Sequence, residues 1–187
     1  MEQLAMPLCT PAFYEAEAAA RRYYYYVDMQ GNLYLDEHKR KGVGTSLKDP
    51  RFLDFFFSRL QLPETPPPDV RFPFLSPCGR EANWVRSADT PIVFSDLIDD
   101  TELQFAHSLR QPFEPAALRI CKSTGRLYHR LDRKKTSCEF ALIRSALAGR
   151  IAERLQLVGD EFEYSDGPGG HARCLVPWLD RRPTPSL

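Results

Sequence analysis

The chain has 187 residues, of which 43% are hydrophobic and 12% aromatic, values typical of a globular protein with a buried core. Its 25 basic residues balance its 25 acidic ones, so the basic excess expected of a nucleic-acid-binding protein is absent. The five cysteines are odd in number and none forms a Cys-x-x-Cys pair, which disfavours a disulfide framework or a closed zinc site and favours reduced, intracellular thiols. No stretch approaches the roughly 20 apolar residues of a spanning helix, so we expect no membrane insertion.

Two helices and a hairpin are predicted in the first third of the chain. Thr10-Pro11 and Asp49-Pro50 each combine a capping side chain with a proline suited to the first helical position. Between them, a run of tyrosines and a turn around Gly31 predict two paired strands. The resulting order is helix, strand, strand, basic loop and helix, at residues 12–22, 23–28, 33–36, 38–46 and 50–61.

Short strands and one long helix are predicted after the proline-rich segment 63–68. Turn-forming residues separate the strand candidates, which cover residues 70–75, 83–86, 92–94, 103–106, 117–121, 126–130, 161–164 and 173–178. The pattern Thr136-x-x-Glu139 is typical of a capping box, and the apolar stripe behind it predicts the longest helix, over residues 137–157.

The sequence contains one internal similarity. Gly31-Asn-Leu-Tyr34 recurs as Gly125-Arg-Leu-Tyr128, and a basic loop and an amphipathic segment ending in Arg-Leu-Gln follow each copy. Either the match is due to chance or it marks two related units, and on the second interpretation we predict an α+β domain of two similar lobes, each a small antiparallel sheet with one main helix. The predicted parts are an N-terminal helical extension, a first lobe with its linker, a second lobe and a mobile tail, at residues 1–22, 23–68, 69–180 and 181–187.

Two arginines fall inside the apolar faces of the predicted helices. Arg144 lies near the middle of the stripe in the long helix, and Arg59 lies within the apolar arc of the earlier one. A buried, unpaired guanidinium costs several kcal/mol, so each arginine needs a negative partner. That partner is an acid of the protein itself, several carbonyl groups or an anionic ligand, unless the side chain extends to the rim of the core. Two facing helices would bring both arginines to one pocket.

A second candidate site surrounds Cys78, which follows an apolar strand and precedes Arg80 and Glu81. A neighbouring arginine can lower the pKa of a thiol, and His129 is the one histidine placed on a predicted strand where it could act as a base. The alternative is a small turn residue beside a surface ion pair. Complete motifs for a nucleophile elbow, a zinc protease or a dinucleotide fold are absent, and His171 with Cys174 gives only half a metal site. We therefore predict no catalytic residues, no metal and no cofactor.

Several segments together resemble a known family. The most specific is Phe-Pro-Phe-Leu-Ser-Pro-Cys-Gly-Arg-Glu at residues 72–81, and the others are residues 25–36, 48–53, 56–60, 112–115, 125–129 and 143–148. They resemble the eukaryotic uncharacterised protein family 0598, over about residues 23–148, and this resemblance implies a mitochondrial protein without an assigned reaction. The order of elements is also similar to the bacterial domain of unknown function 1285, which implies a repeated two-lobe fold and a ligand-binding or signalling role.

These observations predict a non-catalytic binding or interaction module for a small anionic ligand or a partner's carboxylates. The candidate binding residues are Arg59, Cys78, Arg80, Glu81, Glu114, Arg126, His129 and Arg144. The alternatives are an enzyme that uses Cys78 and a structural subunit of a mitochondrial assembly. The expected location is mitochondrial, with the cytoplasm as the alternative because Glu2, Glu15 and Glu17 disfavour an acid-poor presequence.

Overall fold

The computed structural model describes residues 10–40, 42, 44–132, 138–165, 173–180 and 183. Within them, helices α1 to α4 lie at Pro11–Ala19, Asp36–Arg40, Pro50–Ser58 and Ser145–Ala152, and a 3-10 turn lies at Pro115–Ala117. No helix in this described part is long and apolar enough to cross a membrane. Thr136, the glycine loop at 167–170, His171 and the residues from 184 onward lie outside the described residues.

The strands of the described residues form sheets of four, seven and three strands. Strands β1 to β14 lie at Arg22–Val27, Leu33–Leu35, Phe74–Cys78, Glu81–Ser87, Val93–Ile98, Glu102–Phe105, Leu109–Pro112, Leu118–Cys121, Leu127–Arg130, Phe140–Ile143, Leu155–Val158, Glu161–Ser165, Arg173–Val176 and Trp178–Leu179. The prediction of an α+β fold is confirmed. The two larger sheets are mixed rather than purely antiparallel, because β1 pairs in parallel with β4, and β5 with β10. These partners are far apart in sequence, and the long connections between them return the chain in the same direction.

The four-stranded sheet has the order β2-β1-β4-β3 and therefore contains chain from both sides of the proline-rich segment. The predicted boundary between residues 68 and 69 falls inside the stretch that builds this sheet. A further difference lies after β2, where the predicted basic loop begins with the short helix α2.

The seven-stranded sheet has the order β14-β8-β9-β10-β5-β6-β7. Its strand β10 occupies the start of the predicted long helix, and all four of its residues are buried. The prediction of one helix over 137–157 is wrong: the described part of that segment forms strand β10, helix α4 and strand β11, which is an edge of the three-stranded sheet β11-β12-β13.

The helix starts at Thr10 and Asp49 follow from local hydrogen bonds. Thr10 Oγ1 accepts the backbone N–H of Phe13 at 3.3 Å, and an Asp49 carboxylate oxygen accepts that of Phe52 at 2.6 Å. Each bond satisfies a donor that the first helical turn would leave free, which stabilises the helix by about 1 kcal/mol. The predicted starts of α1 and α3 are thus confirmed.

One hydrophobic core joins the two larger sheets. Its fully buried side chains include Phe56 on α3, Phe74 on β3 and Phe94 on β5. Burial of each such ring contributes about 1.5–3 kcal/mol relative to exposure, and the two larger sheets share this core. A smaller cluster on the other face of the four-stranded sheet is covered by α1.

Candidate functional site

Arg144 lies at the junction of β10 and α4. Its backbone is extended, with φ −61° and ψ 151°, and its N–H donates to the carbonyl of Phe94 at 3.0 Å. The side chain is half-buried, and its Nε is buried without a hydrogen-bond partner. The predicted interior helical position is wrong, because Arg144 is the residue that precedes helix α4. Within the described ranges, its guanidinium makes no ion pair with a carboxylate.

Arg144 lines a cavity of about 230 Å³ between the two larger sheets. We call this cavity the basic cleft. Its apolar walls are Leu33, Leu47, Leu53, Phe57, Val93 and Ala106, and Gln30, Asn32 and Ser95 add polar groups.

The charged side chains of the basic cleft are all basic. Lys48 is exposed and Arg144 is half-buried; the imidazole of His107 is also exposed, and no aspartate or glutamate is among the described residues that line the cavity. Four other cavities in the described region differ, since three of them contain carboxylates and the fourth contains Arg126, which is ion-paired. An anion entering the basic cleft would therefore meet positive charge without a competing carboxylate on the walls.

Two carboxylates near the cleft already accept hydrogen bonds from other groups of the protein. Asp96 accepts from Arg150 at 2.5 Å, and this bond, helped by the smaller influence of Arg144, lowers the pKa of Asp96. Asp54 on α3 accepts the backbone N–H groups of His107 and Ser108 at 3.0 and 2.8 Å. Since both acids have their own partners, neither forms an ion pair with Arg144.

The β1–β2 turn shapes one wall of the basic cleft. One carboxylate oxygen of Asp28 accepts the backbone N–H groups of Gln30 and Asn32 at 2.8 and 2.9 Å. Gly31 adopts φ +82°, and a Cβ added there would lie 3.2 Å from the Cβ of Val93. Glycine therefore permits both the left-handed conformation and the close approach of the turn to β5.

Arg59 lies outside the basic cleft. It follows α3 as an exposed residue, and its guanidinium carbon lies 4.2 Å from the centroid of the Phe55 ring. The prediction of a buried position for Arg59 is wrong, because α3 ends at Ser58 and only one side of the helix faces the core.

Cys78, Arg80 and Glu81 lie at the tight β3–β4 turn, and none of them lines the basic cleft. The Cys78 thiol is half-buried and lies 3.6 Å from the hydroxyl of Ser76. Arg80 is exposed and Glu81 is half-buried.

His129 has a structural environment in the seven-stranded sheet. It is 2% exposed; its Nε2 lies 3.0 Å from the backbone N of Glu114, and its Nδ1 lies 2.7 Å from the carbonyl oxygen of Arg130. This geometry favours the neutral tautomer that donates from Nδ1 and accepts at Nε2. Desolvation by burial lowers the pKa of His129, which also favours the neutral ring. With both nitrogens engaged, His129 is not the base for Cys78 that the enzyme hypothesis requires.

Arg126 is paired with an acid of the protein itself. Its Nη1 donates to Asp89 at 2.8 Å, and the side chain of Asp89 is 1% exposed. The hydroxyl of Tyr128 donates to the same carboxylate at 3.0 Å. Arg126 thus compensates a buried charge.

Glu114 is the remaining predicted residue. Its backbone N lies 3.0 Å from Nε2 of His129, and its side chain is exposed. Within the described ranges, no three His, Cys, Asp or Glu residues are grouped so as to hold a metal ion.

Comparison with known proteins assigns the chain to a family. Residues 14–168 match the family model described as "Domain of unknown function (DUF4505)". The chain belongs to this family. Two solved structures are also similar to the DUF4505 chain, both of DUF1285 family proteins at 14% sequence identity. The protein from Silicibacter pomeroyi DSS-3 has a TM-score of 0.49 with 76% of each chain covered, and that from Shewanella baltica OS155 has a TM-score of 0.44 with 70% of this chain and 91% of the other covered.

Sequence reasoning missed most of the cleft in this DUF4505 protein. Lys48 stands directly before the helix cap at Asp49, and His107 lies in the turn between β6 and β7. Lys48 opens the segment 48–53 of the family resemblance but was not singled out as a binding residue, and His107 belongs to no motif. Only the packing of the two sheets brings them to the same cavity as Arg144. The sequence did predict the turn around Gly31, which forms one wall of this cleft, but only as the turn of a hairpin.

Proposed function

We propose that this protein is a non-catalytic binding module whose basic cleft holds a small anion. The observation that supports this most directly is the half-buried Arg144, whose buried Nε lacks a hydrogen-bond partner, in a cavity whose described lining residues include no acid. A buried donor without a partner costs about 1–3 kcal/mol, more when the group is charged, and a carboxylate or phosphate bound beside this guanidinium would compensate its charge.

The concave shape favours a small molecule over a protein surface. A cavity of about 230 Å³ is smaller than the roughly 300–1,000 Å³ of sites that hold drug-sized ligands, yet it can surround one acid group. A single carboxylate side chain of a partner protein is the other anion that could enter. In this proposal the protein acts in mitochondria, as its resemblance to family 0598 implies; imaging of the tagged full-length chain with mitochondrial and cytoplasmic markers tests that part.

The test is thermal stabilisation by a panel of anions. The panel contains acetate, succinate, inorganic phosphate and an oligoglutamate peptide, each at a concentration from micromolar to millimolar. A ligand present at about 100 times its Kd stabilises the folded state by about 2.7 kcal/mol, which corresponds to roughly 5–10 °C in Tm for a chain of this size. We expect at least one anion to stabilise the wild-type protein and to lose at least about tenfold in affinity in Arg144→Gln.

Arg80→Gln is the matched control, since Arg80 is exposed at the β3–β4 turn and does not line the cleft. It should bind every anion as the wild type does. The proposal is wrong if no anion stabilises the wild type, or if Arg144→Gln and Arg80→Gln lose the same affinity. Stabilisation by the peptide alone would assign the site to a partner's carboxylates.

A further inference from the structure

The walls of the basic cleft also restrict the kind of anion. Leu47 and Leu53 are half-buried and line the cavity, as do the more deeply buried Leu33, Phe57 and Val93. A free inorganic anion gains nothing from these surfaces, because only apolar groups are favoured by removal from water there. A hydrocarbon body on the ligand would remove apolar surface from water on both sides, with a gain of about 0.8 kcal/mol, or roughly fourfold in affinity, per buried methylene.

The charges point to one acid group on the ligand. Among the described residues of the cleft, Arg144 is the one half-buried cation, whereas Lys48 and the imidazole of His107 are exposed, where screening weakens the attraction of a positive charge. Phosphate groups are usually held by several cations or by free backbone N–H groups at a helix start. The N–H of Gly31, which lines the cleft, already donates to the carbonyl of Asp28 at 3.1 Å. One planar guanidinium matches one planar carboxylate through two parallel hydrogen bonds.

Resting on the function proposed above, we propose that the ligand is a small monocarboxylate with a compact hydrocarbon body. Its carboxylate pairs with Arg144, and its body lies against Leu53 and the neighbouring apolar wall. A cavity of about 230 Å³ is smaller than the roughly 300–1,000 Å³ of sites that hold drug-sized ligands, so a nucleotide or a long-chain fatty acid does not fit inside.

The experiment compares hydrocinnamate, acetate, inorganic phosphate and the neutral hydrocinnamyl alcohol by isothermal titration calorimetry on the full chain. Hydrocinnamate should bind at least about 30-fold more tightly than acetate because its phenyl ring and methylenes contact the apolar wall. The alcohol should bind at least about tenfold more weakly than hydrocinnamate because it lacks the charge that Arg144 recognises. Arg144→Gln should remove most of the difference between the acid and the alcohol.

Two variants on the same helix test the apolar wall. Leu53→Ala should lower the affinity for hydrocinnamate about fivefold or more. It should leave the affinity for acetate unchanged, since acetate does not reach the apolar wall. Phe55→Ala is the control: Phe55 is 41% exposed, and it does not line the cleft. It should change neither affinity. A thermal melt of each variant shows whether it is folded, and Leu47→Ala, on another segment of the same wall, replaces Leu53→Ala if the latter does not fold.

The outcomes separate this inference from the proposed function. If acetate or phosphate binds in an Arg144-dependent way and hydrocinnamate binds no more tightly than that anion, the cleft remains an anion site. The proposal that the ligand has a hydrocarbon body is then wrong. If phosphate binds more tightly than hydrocinnamate, the ligand is a phosphate compound and the inference is wrong. If none of the four probes binds, the inference is wrong, and the proposed function fails as well if succinate and the oligoglutamate peptide also leave the protein unstabilised.

Discussion

Alanine in place of Gly31 should destabilise the protein more than alanine in place of Gly125, its counterpart in the internal similarity. Both glycines have a positive φ, +82° and +68°, and both precede a returning hairpin strand. A left-handed conformation costs a non-glycine residue about 1–2 kcal/mol, and alanine recovers about 0.4–1 kcal/mol by restricting the unfolded chain. Each substitution should therefore cost about 0.5–1 kcal/mol through the backbone alone.

Of the two substitutions, only Gly31→Ala also has a steric cost. Its added Cβ would lie 3.2 Å from the Cβ of Val93, which is 3% exposed, whereas a Cβ at Gly125 meets nothing within 4 Å. Overpacking of this kind typically costs 1–3 kcal/mol, so the expected totals are about 2–3 kcal/mol for Gly31→Ala and about 1 kcal/mol for Gly125→Ala. A chain of this length loses roughly 2–4 °C in Tm per kcal/mol.

Urea unfolding followed by far-UV circular dichroism measures the two free energies of unfolding, with calorimetric Tm values as a second measure. Equal losses in the two variants would show that the β1–β2 turn is not pressed against β5, and the wall of the basic cleft would then be misplaced. A larger loss in Gly125→Ala would refute the reasoning altogether.

Three further predictions concern the buried groups outside the cleft. Asp89→Ala should cost about 3 kcal/mol in urea unfolding because it leaves the half-buried Arg126 and the buried hydroxyl of Tyr128 without their partner. Asp180→Ala, whose partner Lys122 is exposed, should cost less than about 0.5 kcal/mol. Because burial lowers the pKa of His129, the unfolded chain binds the proton more tightly, so stability should fall as the pH drops below about 6.5, and His129→Gln should reduce this slope. Burial raises the pKa of Cys138 to about 12, so peptide mapping after iodoacetamide treatment of the folded protein at neutral pH should find Cys78 alkylated and Cys138 unmodified.

The sequence predicted elements whose signals are local. The starts of α1 and α3 depend on Thr10 and Asp49, whose side chains bond to an N–H three residues later. The hairpin of β1 and β2 depends on a turn that Asp28 and Gly31 specify within five residues. Such signals need no knowledge of the remaining chain, which explains why they could be interpreted correctly.

The prediction of one long helix failed at strand β10, because a strand buried on both faces lacks the alternation of apolar and polar residues that identifies a strand. Residues Phe140–Ile143 form a strand with neighbours on both edges and both faces buried, so their side chains are apolar without alternation. A short run of this kind is indistinguishable from the apolar face of a helix. The basic cleft could not be predicted for a related reason. Arg144 reaches it because β10 pairs with β5, a contact between segments about 50 residues apart, and Lys48 and His107 reach it because the two larger sheets pack together.

A last prediction separates a ligand-binding Arg144 from a structural one. Arg144 occupies the position before the first residue of α4, where asparagine, aspartate, serine or threonine normally accepts a free backbone N–H, and its own side chain makes no such bond. Arg144→Asn should provide this bond and remove the buried Nε that has no hydrogen-bond partner. It also removes the packing contacts of the aliphatic part of the arginine side chain, which offsets part of the gain in stability. We expect a net gain of about 1 kcal/mol in the free energy of unfolding.

The same substitution should reduce anion affinity at least about tenfold, because the planar guanidinium is lost. Arg80→Asn, at an exposed turn, should change stability by less than about 0.5 kcal/mol and leave affinity unchanged. Gain of stability with loss of binding is the combination expected when a side chain serves a ligand at the expense of its own helix. A loss of more than about 1 kcal/mol in Arg144→Asn would instead mean that the guanidinium stabilises the fold, and the basic cleft would then have no reason to hold an anion.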